Sequence, residues 1–565
     1  MKKPDRLKFG AAMGMALALV FYAGTGARAQ LDTDVPGGHL KIQTSLETDW
    51  AVDTAGKNNR NNNNNNVPGS GQGLSTDGSQ LQSANGRIEP LTTFRVNDDT
   101  AQSMWLDNAD AYVHLRYWGD VAQLVNGPRV NTVGQGDYWT PGVSRYPGDG
   151  WAARVSEHEY EADAAEAYID LRKGPFSLRL GKQYIVYGEE LGLQTLDQVD
   201  SFDFTRWVNK TQYFGLEFSD VRIGEWTSKL SYQLPDFSEE GVNNSVITGF
   251  VSPDFQPSYF VGLGSQNNDV PAFQKIGDYG NIRRARNKIV YGAVASTTVY
   301  DVDLTANFYS TPDHIGWFSS APVCPRNTIG TLRCVLAQAP LDLVGGSPFL
   351  GPAAGPRDLL IQRRFSREFI YGGSASYTVP ALDFPGSFLL YGDIFHFSTA
   401  YTPHKSFTGA TTVTAGNPNT SAKKSGEINA TLDGERYVRW SEKFPSMYLL
   451  GEYNFRSRSE AVTEAYLSAR GHHNYNLVVL SLTQPLPTNI WTAGIVALCD
   501  TNDGGNWFLQ PQVTYKPTSN QEYNIYYNFV EGTVDKPAKT GGHGNHDIGA
   551  GDWVDAIWFR AIYKM

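Results

Sequence analysis

AAEAYIDLRKGPFSLRLGKQYIVYGEELGLQTLDQVDSFDFTR, running from Ala164 to Arg206, is the stretch whose reading decides the fold. On one side of its leading part lie Ala165, Ala167, Ile169 and Leu171, then Phe176, Leu178, Leu180, Tyr184 and Val186. On the other lie Glu166, Tyr168, Asp170, Arg172, Ser177, Arg179 and Gln183. Side chains alternate across a β-strand, so a period of two sorts the sets onto an apolar and a polar face. Lys173-Gly174-Pro175 supplies the turn between two such strands. A hairpin of this kind suits a barrel wall with lipid outside and water inside.

The pattern recurs along the chain. From His39 to Asp53, Leu40, Ile42, Leu46, Trp50 and Val52 alternate with Lys41, Gln43, Glu47, Asp49 and Asp53. Strands are predicted at Gly86–Asn97 and Ala109–Trp118, and a hairpin at Thr211–Arg222 and Trp226–Leu234, turning at Ile223-Gly224-Glu225. Pro235 to about Arg286 reads as a long loop, followed by strands at Lys288–Thr297, Tyr300–Ser310, Glu368–Val379 and Ser387–Ser398. A Ser/Thr/Asn-rich loop then leads to Gly434–Lys443 and Met447–Ser457. The closing series is Asn474–Gln484, Asn489–Cys499, Trp507–Lys516, Gln521–Val530 and Asp552–Met565. Short and long connections alternate. The chain is thus expected to be all-β, a closed antiparallel transmembrane barrel of about 18 strands (roughly 16 to 18), with long extracellular loops and short periplasmic turns.

Composition agrees. Among 565 residues there are 30 Tyr, 28 Phe, 13 Trp and 57 Gly, while charged residues make up only 19%, a mix favouring strands and turns. Residues 1–29 read as a signal peptide: basic Lys2, Lys3, Arg6 and Lys8, an apolar run from Phe9, and Ala27-Arg28-Ala29 as cleavage site near Ala29. Residues 30–565 form a single barrel domain, exported to the outer membrane of a Gram-negative cell. Lys57–Gly73 is a low-complexity polar loop. The net charge of −11 becomes more negative once the basic leader is removed, which argues against nucleic acid as a partner. After the leader no apolar run is long enough for a transmembrane helix, and a barrel needs none. In the long loop 311–367, Cys324 and Cys334 are a disulfide candidate in an oxidising compartment. Cys499 is left over, and no CxxCH run offers a haem attachment.

Arg179-Leu180-Gly181-Lys182-Gln183, then Tyr187-Gly188-Glu189 and Asp197, Asp200 and Asp203, resembles a motif of Gram-negative outer-membrane barrels in a family of unknown function. There the run reads R-x-G-R-Q, W-G-E and an acidic N-P-x-D loop. It is distantly similar to the R-x-G-R-Q…Y-G-D run of alginate-export porins. Lys182 stands for the Arg, Tyr187 for the Trp, and Ser201-Phe202-Asp203 for N-P-x-D. The C-terminal Ile557, Phe559, Ala561, Tyr563 and Met565 resemble the terminal strand read by the barrel-assembly machinery, which usually ends in Phe. These resemblances imply transport or envelope-lipid handling.

The candidate pore and constriction residues are Arg179, Lys182, Gln183, Glu189, Glu190, Asp197, Asp203 and Arg206. Arg179 either braces the wall against Asp170 or Glu166 or joins a ring of charges selecting solutes. Lys182 falls on the lipid side by alternation, so either a bulge at Gly181 turns it inward or it snorkels. The acidic loop either lies at the outer mouth or folds into the lumen. Arg283, Arg284, Arg286, Arg363, Arg364 and Arg367 form a basic loop cluster able to hold carboxylate or phosphate groups if the two loops meet. His472-His473 and His543-x-x-His546 lack a third ligand, and no nucleophile motif is present, so neither metal, cofactor nor catalysis is expected. The leading expectation is a porin-like channel for small or amphipathic solutes in contact with outer-membrane lipid and lipopolysaccharide. The alternatives are an envelope component handing apolar molecules from an inner-membrane exporter or periplasmic subunits, motivated by the apolar stretch Val335–Gly355, and a sheath for a multihaem conduit.

Overall fold

The computed structural model describes residues 30–53, 81–120, 160–188, 195–202, 221–237, 241–258, 288–314, 317–320, 361–379, 393–408, 422–458, 474–501, 506–531 and 556–564. The first half of the wall comprises β1 (Gly38–Asp53), β2 (Leu81–Val96), β3 (Asn108–Asp120), β4 (Tyr160–Lys173), β5 (Phe176–Gln183), β6 (Glu225–Gln233), β7 (Val242–Ser252), β8 (Val290–Val299) and β9 (Val302–Pro312). The second comprises β10 (Arg367–Thr378), β11 (Ile394–Thr408), β12 (Ala422–Val438), β13 (Met447–Arg458), β14 (Asn474–Pro485), β15 (Trp491–Asp500), β16 (Asn506–Thr518), β17 (Gln521–Glu531) and β18 (Ala556–Lys564).

Each strand pairs antiparallel with the next, and β1 pairs with β18 from Ser45↔Lys564 to Asp53↔Ala556, which closes the cylinder at 18 strands. A further strand, Leu31–Val35, folds back on Gly38–Ile42 of β1. A short helix, α1 (Asp98–Ser103), fills the β2–β3 turn, with the Asn97 side chain capping Thr100 N at 3.0 Å. Short connections such as Lys173 to Phe176 and Thr518 to Gln521 share the end where β1 begins and β18 finishes.

The wall is inside-out relative to a water-soluble protein. Ile88, Leu432, Leu480 and Ile525 are each 47% or more exposed on the outer face. Glu47, Arg87, Glu427, Asp433, Glu452 and Asn528 are buried on the inner face. Only an apolar solvent outside and a polar lumen reward that arrangement.

The alternation fixes most strands as predicted, and it fails where the lumen departs from water. Of the hairpin predicted at Thr211–Arg222 and Trp226–Leu234, the second strand stands as β6, and residues 211–220 lie outside the described residues. Arg222–Ile223 instead pairs with Ser201–Phe202 inside the barrel, and β6 pairs directly with β5. The loop predicted from Pro235 to Arg286 contains a wall strand, β7. Its inner face carries Phe250, packed in an apolar cluster, so both faces read apolar and the period of two disappears. A register shift between Asn243 and Val246, with Asn244 at φ 52°, blurs it further. The strand predicted at Ser387–Ser398 lies at β11 and that predicted at Gly434–Lys443 at β12. The Ser/Thr/Asn-rich run reads as a loop because Ser425, Glu427, Asn429, Thr431 and Asp433 are the buried, lumen-facing half of a strand. The expected count of 18 stands because β7, read as loop, pairs with β6 on the side away from β5.

Candidate functional site

The described part of the acidic segment folds into the lumen. It leaves the wall after Gln183, two residues beyond Gly181, whose φ is +138° and whose absent Cβ would stand 2.2 Å from the Ala167 carbonyl oxygen, so only glycine fits there. From there Ile185, Leu196, Val199 and Ile223 pack on inward side chains of β7–β11, among them Phe250, Val294, Tyr309, Ile370 and Ala400. Leu196 lies over Gly372, where a Cβ would come within 2.7 Å of its Cδ2. The segment goes on across the barrel. Thr195 Oγ1 meets Thr431 Oγ1 of β12, and Asn454 Nδ2 of β13 donates to Thr195 Oγ1 at 3.5 Å and to Thr431 Oγ1 at 2.8 Å.

Polar groups lock this fold in place. The Asp200 carboxylate accepts the Ile185 N–H at 2.9 and 3.0 Å, and Arg222 pairs with Asp197 while its Nε lies 3.9 Å from Asp200. Arg116 on β3, paired with Asp163 at 3.1 Å, also donates to the Arg222 carbonyl oxygen at 3.5 Å. Ser201 Oγ contacts the Gln256 carbonyl oxygen and stands 2.5 Å from His314 Nδ1, whose Nε2 lies 3.2 Å from Thr311 Oγ1. Burial pushes the Asp200 carboxyl up to about 7 against the pull of Arg222 and the Ile185 N–H. Burial pushes His314 down to about 4. A buried charge is costly unless paired, and this loop pairs or neutralises its own.

Of the predicted site residues, Asp197 is in the lumenal segment, where it pairs with Arg222. Gln183 faces inward, its Nε2 donating to the Thr227 carbonyl oxygen at 3.0 Å. Arg179 is a wall brace: Nε and Nη2 each reach Asp170 at 2.7 Å, and the guanidinium covers the Tyr168 ring at 4.0 Å. Lys182 keeps the outward phase, level with Ala167 and with Trp226, which is 55% exposed. Its ammonium donates to the Ala164 carbonyl oxygen at 2.5 Å. The expected bulge lies one strand away, where Ala165 is skipped between Glu166↔His114 and Ala164↔Leu115, so Ala165 turns inward and is fully buried. Glu189, Glu190, Asp203 and Arg206 lie outside the described residues, as do Arg283, Arg284, Arg286, the pair Cys324 and Cys334, both histidine pairs and Val335–Gly355. Arg363 and Arg364 are described by backbone alone, in a ribbon opposite Phe318 and Trp317. Beside the end of the second arm, Lys288 donates to the Phe365 carbonyl oxygen, and Arg367 binds Ser310 Oγ at 2.8 Å and the Ile289 carbonyl oxygen at 2.7 Å. Arg367 is thereby committed to the wall. Cys499 is buried.

Charged rows line two further stretches of the described lumen. Glu47 bridges Arg87 at 2.5 Å and Arg560 at 2.8 Å across the seam, with Asp49 3.7 Å from Arg560. Opposite, Glu427 bridges Lys405 and Arg458 at 2.9 Å each. Sequence reasoning missed Arg222, Thr195 and His314, since nothing local marks which residues a loop will meet across a barrel.

The family model described as "Protein of unknown function (DUF1302)" matches residues 10–536. The chain belongs to this family. No curated protein matches it. Among solved structures it is similar to the outer membrane channel DcaP of Acinetobacter baumannii, at 7% identity, covering 94% of this chain and 99% of that one with a TM-score of 0.37. It is similar to OccAB1 of the same organism, at 9% identity, covering 93% and 96% with a TM-score of 0.43. It is also similar to Pseudomonas aeruginosa OccK2 (OpdF) in complex with glucuronate, at 8% identity, covering 93% and 98% with a TM-score of 0.42.

Proposed function

We propose that this DUF1302 barrel is a channel of the Gram-negative outer membrane, passing small solutes past a constriction that its own loop builds. The observation that carries the reading is the pinned segment: it starts at β5, packs on β7–β11 and is tied to β12 and β13 through Thr195. A brace across a lumen narrows it, and the paired charges on the remaining wall keep it wet. The apolar outer belt would meet acyl chains, the long-loop end would meet lipopolysaccharide, and insertion would fall to the barrel-assembly machinery. The role is transport rather than catalysis. The Ser201–His314 contact has the atoms of a nucleophile and base, but Ser201 is fully buried and no substrate reaches it.

The test is a thiol lock. In a background with the native cysteines replaced, Thr195→Cys with Thr431→Cys would tie the segment to β12. Planar-bilayer recordings should show steady low conductance when oxidised and higher, noisier conductance after reduction. Equal conductance in both states, or a folded barrel that never conducts, would overturn the reading.

A further inference from the structure

Resting on the channel reading and naming its class of solute, we propose that Arg456 on β13 is an anion-binding residue of the lumen, placed to hold the carboxylate of a solute beside the constriction. On the inner face Arg87, Arg116, Arg179, Arg458 and Arg560 each hold a carboxylate, at 2.5, 3.1, 2.7, 2.9 and 2.8 Å. Arg456 alternates onto the same face, between Asn454 and Arg458. Its side chain makes no hydrogen bond or ion pair among the described residues. The residue is part-exposed, and of its nitrogens only Nε is buried, so both Nη atoms stay open to the lumen. A half-enclosed guanidinium is normally matched, because an unpaired charge out of water is costly.

The surrounding wall does not supply the match. Across the ladder Arg456 meets Asn429, whose Oδ1 accepts from Asn454 Nδ2 at 2.8 Å, which leaves Asn429 Nδ2 as a further donor. One row nearer the long-loop end, Glu427 is shared between Lys405 and Arg458 at 2.9 Å each. Glu368 on β10, which accepts the Ser406 N–H at 3.3 Å, and Asp313 just past β9 are buried farther round the wall. Toward the short-turn end the next row is Thr431 and Asn454, where Thr195 ties the constriction segment down, and the acids Asp433 and Glu452 lie beyond that tie. A planar guanidinium fork with an amide donor at its side fits a carboxylate, which takes two parallel N–H···O bonds. A carboxylate held there stands next to the constriction, where a fixed charge selects among entering solutes. An uncharged solute would leave the fork unmatched, and a cation would be repelled by it.

Saturation-transfer NMR on the detergent-solubilised barrel, with propionate and its neutral isostere propionamide as probes, tests this. Wild type should bind propionate saturably and propionamide at least about tenfold more weakly. Arg456→Met and Arg456→Gln, each shown folded by heat-modifiable migration, should lose at least about tenfold in propionate affinity. Arg179→Leu, which removes a guanidinium already matched by Asp170, should bind propionate as wild type does. Equal binding of the two probes, unchanged propionate binding in either Arg456 variant, or an equal loss in Arg179→Leu would overturn the subsite. Conductance measured on the same samples separates the two claims. A conducting barrel that binds propionate no better than propionamide sinks only the subsite, and a silent barrel that binds it through Arg456 sinks only the channel.

Discussion

Acidification should loosen the constriction through His314, and the effect can be sized. The ring is partly buried, between the hydroxyls of Ser201 and Thr311, and burial holds its pKa at about 4 instead of the usual 6.5. In the released loop the imidazole would regain that ordinary value. A group whose packed-state pKa is depressed stays neutral in the packed state while the released state takes up a proton. Packing is therefore fully favoured above about pH 6.5 and weakens as pH falls toward 4. Between about pH 8 and pH 5 the linkage is about 2 kcal/mol, roughly 30-fold in the packed-to-released ratio. Asp200 opposes it, because its raised carboxyl favours the packed state as pH falls. The diagnostic quantity is therefore the difference between wild type and His314→Gln, which keeps a polar side chain without a titrating ring. With Thr195→Cys as reporter in a background lacking the native cysteines, labelling by a bulky maleimide measures release. The wild-type to His314→Gln ratio of labelling rates should rise roughly 30-fold from about pH 8 to about pH 5. A flat ratio would refute the reasoning.

Arg560→Ala should destabilise the barrel by about 3–5 kcal/mol, since it strips the buried Glu47 and Asp49 of a counter-charge; urea unfolding followed by tryptophan emission measures it. Arg179→Leu should cost only about 1 kcal/mol or less in the same assay, because its ion pair with Asp170 is partly open to water. Leu196→Ala should leave the wall's unfolding midpoint unchanged yet weaken loop packing by about 2–5 kcal/mol, seen as faster Thr195→Cys labelling. Leu432→Arg, on the outer belt, should destabilise the bilayer-embedded barrel by about 2–4 kcal/mol while a change on the inner Thr431 side of the same strand should not carry that penalty.

The barrel was legible because oil and water act on alternate residues, and that signal needs no knowledge of distant partners. Where it was lost, the cause is local to the lumen. β7 turns Phe250 toward an apolar loop instead of water, and β12 carries an unbroken polar inner row that reads like a loop. The constriction was only half legible. Asp197 was found because acids cluster after β5, whereas Arg222, Thr195 and His314 join it from other parts of the chain. Lys182 shows the limit from the other side: its odd phase was visible, but the carbonyl that receives it is exposed by an irregularity in the neighbouring strand.

β1 is longer than the strand that closes on it. Its pairing with β18 begins only at Ser45, and the N-terminal Leu31–Val35 ribbon occupies the flank of Gly38–Ile42. Those backbone amides and carbonyls would otherwise be an open border at the rim, able to recruit a foreign extended segment. The ribbon is thus a hem, and unpicking it would invite stray polypeptide to stitch itself onto the cylinder at its joint.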